Sequence, residues 1–358
     1  QAARDFDGHG NTTHSYTLGA DASWEADLFG GVRRSVAASR ALADSAAYDL
    51  AAVRVSLIGD VATNYVQARL AQQRLVLAKQ NLGYADENLQ IARWRLQAGL
   101  VGSLDVEQAR SSRAQVAVSI PNYEQAYSQA VFRLGVLTGQ APEALGTQLE
   151  AVAPVPSPPA AIAAGLPADT LRQRPDVRSA ERTLAAETAR IGVAKAQLYP
   201  ALRIAGTIST TARSVADLGD LVTGSVFATL AQTIFAGGQL RSQVRSQEAA
   251  AQGAFASYRQ SVLTALEDVE NALAALRAAE QQRAQYAEAL DAARNQAILA
   301  RSNYRTGNSD FQALLEAERS LVSASDGQLV SQANATLAVI QLYRALGGGW
   351  DPARPAQE

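Results

Sequence analysis

The chain repeats itself once, at a spacing of about 207 residues, and a long stretch without proline forms the body of each copy. Asp27-Leu28-Phe29-Gly30-Gly31 matches Thr233-Ile234-Phe235-Ala236-Gly237-Gly238, Asp60 to Asn64 matches Glu267 to Asn271, and Arg95-Leu96-Gln97-Ala98-Gly99 matches Asn303-Tyr304-Arg305-Thr306-Gly307. Self-similarity at a fixed period is the mark of a repeat architecture, and it limits the fold more than any single motif does. The proline-free stretches run from about Gly31 to Gln97 and from Gln239 to Arg305, interrupted only by Gly59, Gly83 and Gly253. Read as helices rising about 1.5 Å per residue, each is about 100 Å long. Leu57, Val61, Tyr65, Leu70, Leu75 and Leu82 fall on a helical stripe,. Helices of this length belong to coiled coils and helical tubes rather than to ordinary globular domains.

Composition supports close helix packing. The 358 residues include 74 alanines, and aromatics are only 6%. Small side chains with high helix propensity let neighbouring helices approach. With no cysteine there is no disulfide, thiolate metal site or thiol nucleophile,. Two histidines, His9 and His14, are too few for a His-based metal or acid–base cluster. A net charge of −2 gives no electrostatic footprint for nucleic acid,. No Walker loop is present, and Gly347-Gly348-Gly349 reads as a helix exit,. An enzyme is not expected, nor any cofactor or metal.

The long helices end at Gly99-Leu100-Val101-Gly102 and Gly307-Asn308-Ser309, and return helices follow over about 103–137 and 310–346. Short turns between long helices imply antiparallel hairpins. Ser103 and Asp310 are the expected N-caps, and Pro121 is expected to break or kink the first return helix. Residues 1–139 form the first copy, 140–167 a surface linker holding six of the eleven prolines, 168–349 the second copy, and 350–358 a tail. A shorter helix is expected over 175–197. The second copy carries extra sequence before its Phe-x-Gly-Gly corner, so the first is expected to be truncated at its N-terminus.

Strands are few. From about 14 to 28, Tyr16, Leu18, Ala20, Ala22, Trp24, Ala26 and Leu28 alternate with Thr17, Gly19, Asp21, Ser23, Glu25 and Asp27. A period of two gives one apolar and one polar face. Further strands are expected over 199–209 and 225–235. Their lengths suit an oblique bilayer crossing as well as a soluble sheet with one wet face; in a crossing Asp21, Glu25 and Asp27 would face a watery lumen, and Tyr16 and Trp24 suit either an interfacial aromatic belt or buried packing at a subunit interface. Membrane β-structure must close, and these strands are too few to close alone, so any barrel must be shared between subunits.

Three segments resemble those of a known family: Ser23-Trp24-Glu25-Ala26-Asp27-Leu28-Phe29-Gly30, Leu171-Arg172-Gln173-Arg174-Pro175-Asp176-Val177, and Ala345-Leu346-Gly347-Gly348-Gly349-Trp350. Together with the repeat, they make the chain similar to the TolC-like outer membrane factors, more closely to the OprM/NodT-type lipoproteins of tripartite efflux pumps. The resemblance implies a mainly α fold with a small β part. Long hairpins of three subunits form a trimeric α-barrel, and amphipathic strands form a shared twelve-stranded transmembrane β-barrel. It implies a homotrimer in the outer membrane of a Gram-negative bacterium, working with a periplasmic adaptor and an inner-membrane RND-type pump. The family's first strand and its lipidated cysteine are expected to be absent here.

The resemblance also assigns residues. Asp105, Tyr304 and Glu316 occupy the family's gate positions, Gln312 lies one turn before Glu316, and Arg305 is placed to pair with Asp105 or Glu316. Ala98, Gly99, Leu100, Thr306, Gly307 and Asn308 are the tips that meet the adaptor. Three copies of Glu316 would make an acidic ring like those of cation-selective pores. The alternatives are a type I protein-secretion conduit, a soluble coiled-coil scaffold, which leaves the strands unexplained, and a periplasmic adaptor, which would not carry two long hairpins.

Overall fold

The computed structural model describes residues 2–6, 12–158 and 173–348. His9, part of the linker, Leu171-Arg172, Gly349-Trp350 and the tail lie outside these residues. The elements in chain order are β1 (Ala2–Phe6), β2 (Thr12–Ala26), α1 (Gly31–Gln97), α2 (Ser103–Leu137), α3 (Gly146–Leu149), α4 (Pro175–Ala196), β3 (Ala201–Ala212), a 3₁₀ turn (Val215–Asp217), β4 (Val222–Ala231), α5 (Gln239–Thr306) and α6 (Phe311–Ala345). Two compact units result, one from residues 1–48 and 178–261, the other from 49–177 and 262–358. They cut across the sequence repeats, because each copy contributes to both. No helix among the described residues is long and apolar enough to cross a membrane.

The first unit holds an antiparallel sheet in the order β1-β2-β3-β4. The expected absence of a first strand is corrected: Ala2 to Phe6 pair with Tyr16 to Thr12. β2 starts two residues earlier than expected, where β-branched Thr12 and Thr13 favour extended backbone,. It also stops at Ala26, which removes Asp27 from the lumen-facing set. The Asp27 carboxylate accepts hydrogen bonds from the Val32 and Arg33 backbone N–H groups, at 3.1 and 2.9 Å, and from Arg33 Nε at 3.2 Å. Its job is to cap α1, where a negative charge meets the positive end of the helix dipole. These bonds, the Arg33 N–H first among them, hold its pKa below the ordinary value of 3.8. Phe29 stacks on Tyr199 beside the corner, with centroids 4.6 Å apart. Ser45 of α1 meets Ser179 and Thr183 of α4 in a hydroxyl cluster at 2.9 and 3.1 Å.

The register sorts the sheet into two faces. Trp24 pairs with Ile204 and Ile204 with Ala228, while Leu18 pairs with Thr210 and Thr210 with Val222. That face also carries Ile208, Val226 and Leu230. Leu18, Trp24, Val226 and Leu230 are between 64% and 82% exposed, so nothing among the described residues covers them. The opposite face is polar: Thr17 bonds Thr211, Arg203 bonds Ser23, and Thr207 bonds Ser225. Phe227 is an apolar exception on it.

In the second unit alanine is the commonest buried residue, as at Ala68, Ala92, Ala109, Ala265, Ala297, Ala317, Ala333 and Ala335. This explains the alanine excess: helix axes come close where the contact residues are small. At Gly59 of α1 a Cβ would lie 2.2 Å from Arg344 Cδ of α6. Arg344 lies across that glycine and donates to Asp60 and Ser56, at 3.0 and 3.1 Å. α2 runs unbroken through Pro121, which is exposed,.

The described part of the linker is tied to α1. Arg69, Gln72 and Gln73 of α1 donate to the carbonyls of Ala151, Leu149 and Ala153, at 2.7, 2.6 and 2.9 Å. Val155 is buried with Val66 and Ala333. Arg174 explains the Arg-Pro-Asp motif. It is buried, binds the Ala345 carbonyl at 2.9 Å, and pairs with Asp176 and Asp268 at 2.7 and 3.0 Å.

Candidate functional site

The two hairpin tips are built alike. At the first, Gly99 has φ 72° while Leu100 N–H reaches Arg95 O and Gly99 N–H reaches Leu96 O, both at 2.9 Å. At the second, Gly307 has φ 77° and Asn308 N–H reaches Asn303 O at 2.8 Å. The left-handed residue turns the chain back and satisfies the last helical carbonyls, which is why glycine stands at both places. The return helices start differently. Asp310 caps α6 by accepting from Ala313 N–H at 2.8 Å, a contact worth about 1 kcal/mol,. The expected Ser103 cap is not made: the N-cap of α2 is Gly102, without a side-chain bond, and Ser103 is the first helical residue. All six tip residues, Ala98, Gly99, Leu100, Thr306, Gly307 and Asn308, are exposed.

Above the tips lies one apolar core fed by four helices. It contains Leu89 and Ala92 of α1, Ala109 of α2, Tyr304 of α5, and Phe311, Leu314 and Leu315 of α6. Tyr304 is 3% exposed and tilts 54° against Phe311, with ring centroids 5.5 Å apart. Its hydroxyl is buried without a hydrogen-bond partner. Among the described residues Asp105 therefore makes no hydrogen bond to it. Asp105 is half-buried in the first turn of α2. Arg305 is exposed, and among the described residues it forms no ion pair with Asp105 or Glu316. The arginine that does reach the tyrosine is Arg95, whose guanidinium carbon lies 4.3 Å from the Tyr304 ring centre. Sequence reasoning used Arg95 only as a marker of the repeat. Its signal was position: it stands in the last turn of α1, as Tyr304 does in that of α5.

α6 divides into two arcs. Phe311, Leu314, Leu315 and Ala317 are buried, while Gln312, Glu316 and Arg319 are exposed on the opposite side. Residues four apart share a face, so Gln312 and Glu316 are presented together. Two residues on, Glu318 is held by Arg301 of α5 at 2.5 and 2.8 Å. That hydrogen bond raises the Arg301 pKa above its ordinary value. Glu318 is thus neutralised and Glu316 is the exposed carboxylate beside it. In the sheet, Glu25 stands opposite Arg203 and Asp21 opposite Thr207, all on the polar face.

Comparison with known proteins adds to this geometry. The family model for outer membrane efflux proteins matches residues 1–140 and 166–348. The pyoverdine export outer membrane protein OpmQ of Pseudomonas putida is 32% identical over 97% of this chain and 73% of its own length. Nodulation protein T of Rhizobium leguminosarum bv. viciae is 32% identical over 92% of this chain and 68% of its own. Among solved structures, the outer-membrane channel OprN superposes with a TM-score of 0.91 at 35% identity, covering 98% of this chain and 80% of that one.

Proposed function

The chain belongs to the outer membrane efflux protein family, and from that premise we propose that it is a passive, gated exit duct whose aperture lies at the hairpin tips. It is an outer membrane component of an efflux system in a Gram-negative bacterium. Three copies would close the barrel, since four strands with two free ends cannot,. Small molecules handed over by an RND-type inner-membrane pump and a periplasmic adaptor would pass through it without chemical change. The export of pyoverdine by the OpmQ relative favours a small-molecule cargo over a protein.

One observation carries this reading: a sheet with an uncovered apolar face and a polar opposite face. A soluble scaffold would bury the first face. Placing Leu18, Trp24, Val226 and Leu230 in hydrocarbon gains about 1.5–3 kcal/mol for each side chain,. With three subunits around an axis, the Gln312–Glu316 arc supplies an acidic ring. Asp105 and Arg305, which have no ion-pair partner among the described residues, are available to hold neighbouring tips together. The exposed tips supply the adaptor contact. An adaptor opens such a gate only by binding the dilated state more tightly than the closed one.

Planar-bilayer recording of the trimer tests this. Glu316→Gln should lower the preference for cations over anions, and Asp105→Ala combined with Glu316→Ala should raise resting conductance. Unchanged selectivity and conductance would remove both residues from the gate.

A further inference from the structure

Between α1, α2 and α6 lies a cavity of about 350 Å³, within the size range of small-molecule sites,. Its walls all belong to the second unit. It begins at Leu315, where the tip core ends, and extends to the level of Asp326. Leu315, Arg319, Val322 and Asp326 follow one another at spacings of four, three and four, so they share one face of α6,. Leu77 and Tyr84 of α1, with Val116 and Tyr123 of α2, complete an apolar and aromatic lining. Polar groups converge on the same space. Asn81, Asn88 and Ser112 are half-buried there, and their side chains make no hydrogen bond among the described residues. Burial raises the Tyr123 pKa above its ordinary 10.0, which keeps its hydroxyl a neutral donor.

The charges of the lining do not cancel. Asp326 is taken up by Arg74 of α1, with two bonds of 2.6 Å. Glu318 is likewise held by two nitrogens of Arg301 of α5. Arg319 is exposed at the mouth and forms no ion pair among the described residues, so one positive charge is left over. Two amides, a hydroxyl and a phenol offer donors to an anion, and the rings and aliphatic side chains offer contact to a flat apolar body. We propose that this cavity is a binding site for small aromatic anions, with the ring in the apolar lining and the acidic group toward Arg319. An occupant touches both hairpins, α1 and α2 of one and α6 of the other. Binding of this kind is independent of the gate, and a non-conducting trimer would show it as well.

Isothermal titration of the trimer in lipid nanodiscs, with empty nanodiscs as the blank, tests this with naphthalene-1-sulfonate and its uncharged counterpart naphthalene-1-methanol. We expect saturable binding of one sulfonate per chain, tighter than that of the alcohol. Arg319→Gln should weaken the sulfonate about fivefold and leave the alcohol unchanged, while Arg319→Lys should keep most of the affinity. Arg294→Gln, which removes an exposed arginine of α5 outside the lining, should change neither. Ser112→Phe fills the cavity and should abolish binding of both, and Ser323→Phe should weaken both. Ser323 is exposed, so its variant keeps the test decisive if the half-buried Ser112 position does not tolerate a ring. The chain has no cysteine, so a Ser323→Cys thiol can be labelled selectively, and bound sulfonate should slow its reaction with a maleimide. The site is overturned if the sulfonate binds no better than to the blank, if the alcohol binds as tightly, if Arg294→Gln weakens binding as much as Arg319→Gln, or if both Phe variants bind like the native chain. Protection of that thiol by an adaptor hairpin, and not by the sulfonate, would make the cavity a protein-docking groove and would likewise overturn it.

Discussion

Asp27 shows how one carboxylate can be assigned to the wrong side of a boundary. Alternation from Tyr16 onward reads it as a strand residue, but Gly30 and Gly31 follow it, and a helix beginning at Gly31 needs an acceptor for its first N–H groups,. The backbone bond to Arg33, with lesser help from the Arg33 charge, lowers the folded-state pKa. A depressed acid contributes stability above its unfolded value and loses it as pH falls through the folded value. Relative to Asp27→Asn, the native protein should therefore lose stability below about pH 4, with the two curves parallel near neutrality. Acid titration of helical circular dichroism checks this. Tyr304 teaches a similar lesson. Its position near Gly307 was legible in the sequence, but its partner was not, because Arg95 meets it across 209 residues of chain and only folding brings them together.

Elements were more legible than contacts. Proline-free length and paired glycines mark the four long helices, because Pro and Gly act on backbone conformation wherever they stand. The ties of the linker were not legible for the same reason: prolines announce irregular backbone but say nothing of what binds its carbonyls. Arg69, Gln72 and Gln73 do so from the middle of α1. Arg174 is a further tie, to the end of α6. Arg174→Gln would forfeit both ion pairs and weaken the bond to the end of α6. Asp176 and Asp268 are each nearly half exposed and can recover water, so the cost should be about 2 kcal/mol rather than that of a fully buried pair,. The urea midpoint of the helical signal measures it.

For the whole molecule, the sheet register makes a claim about two adjacent residues. Val226 lies on the apolar face and Ser225 on the polar one, where it bonds Thr207 at 2.8 Å. Val226→Arg should cost about 2–4 kcal/mol per chain if it meets mid-bilayer, while Ser225→Arg should be tolerated. The amount of each trimer recovered in outer membranes distinguishes them, and equal yields would mean that the faces are misassigned. The two faces were visible in β2 and β3 from alternation alone. β4 was blurred by Phe227, and β1 was missed because five residues carry too little pattern to stand out. That same sheet also sets a problem of supply. A newly made chain must carry its bare hydrophobic face and unpaired strand edges through water before sister chains and lipid cover them. Its yield in the cell should follow the contest between threefold encounter and clumping, so escorting chaperones and synthesis rate govern abundance as much as intrinsic stability does.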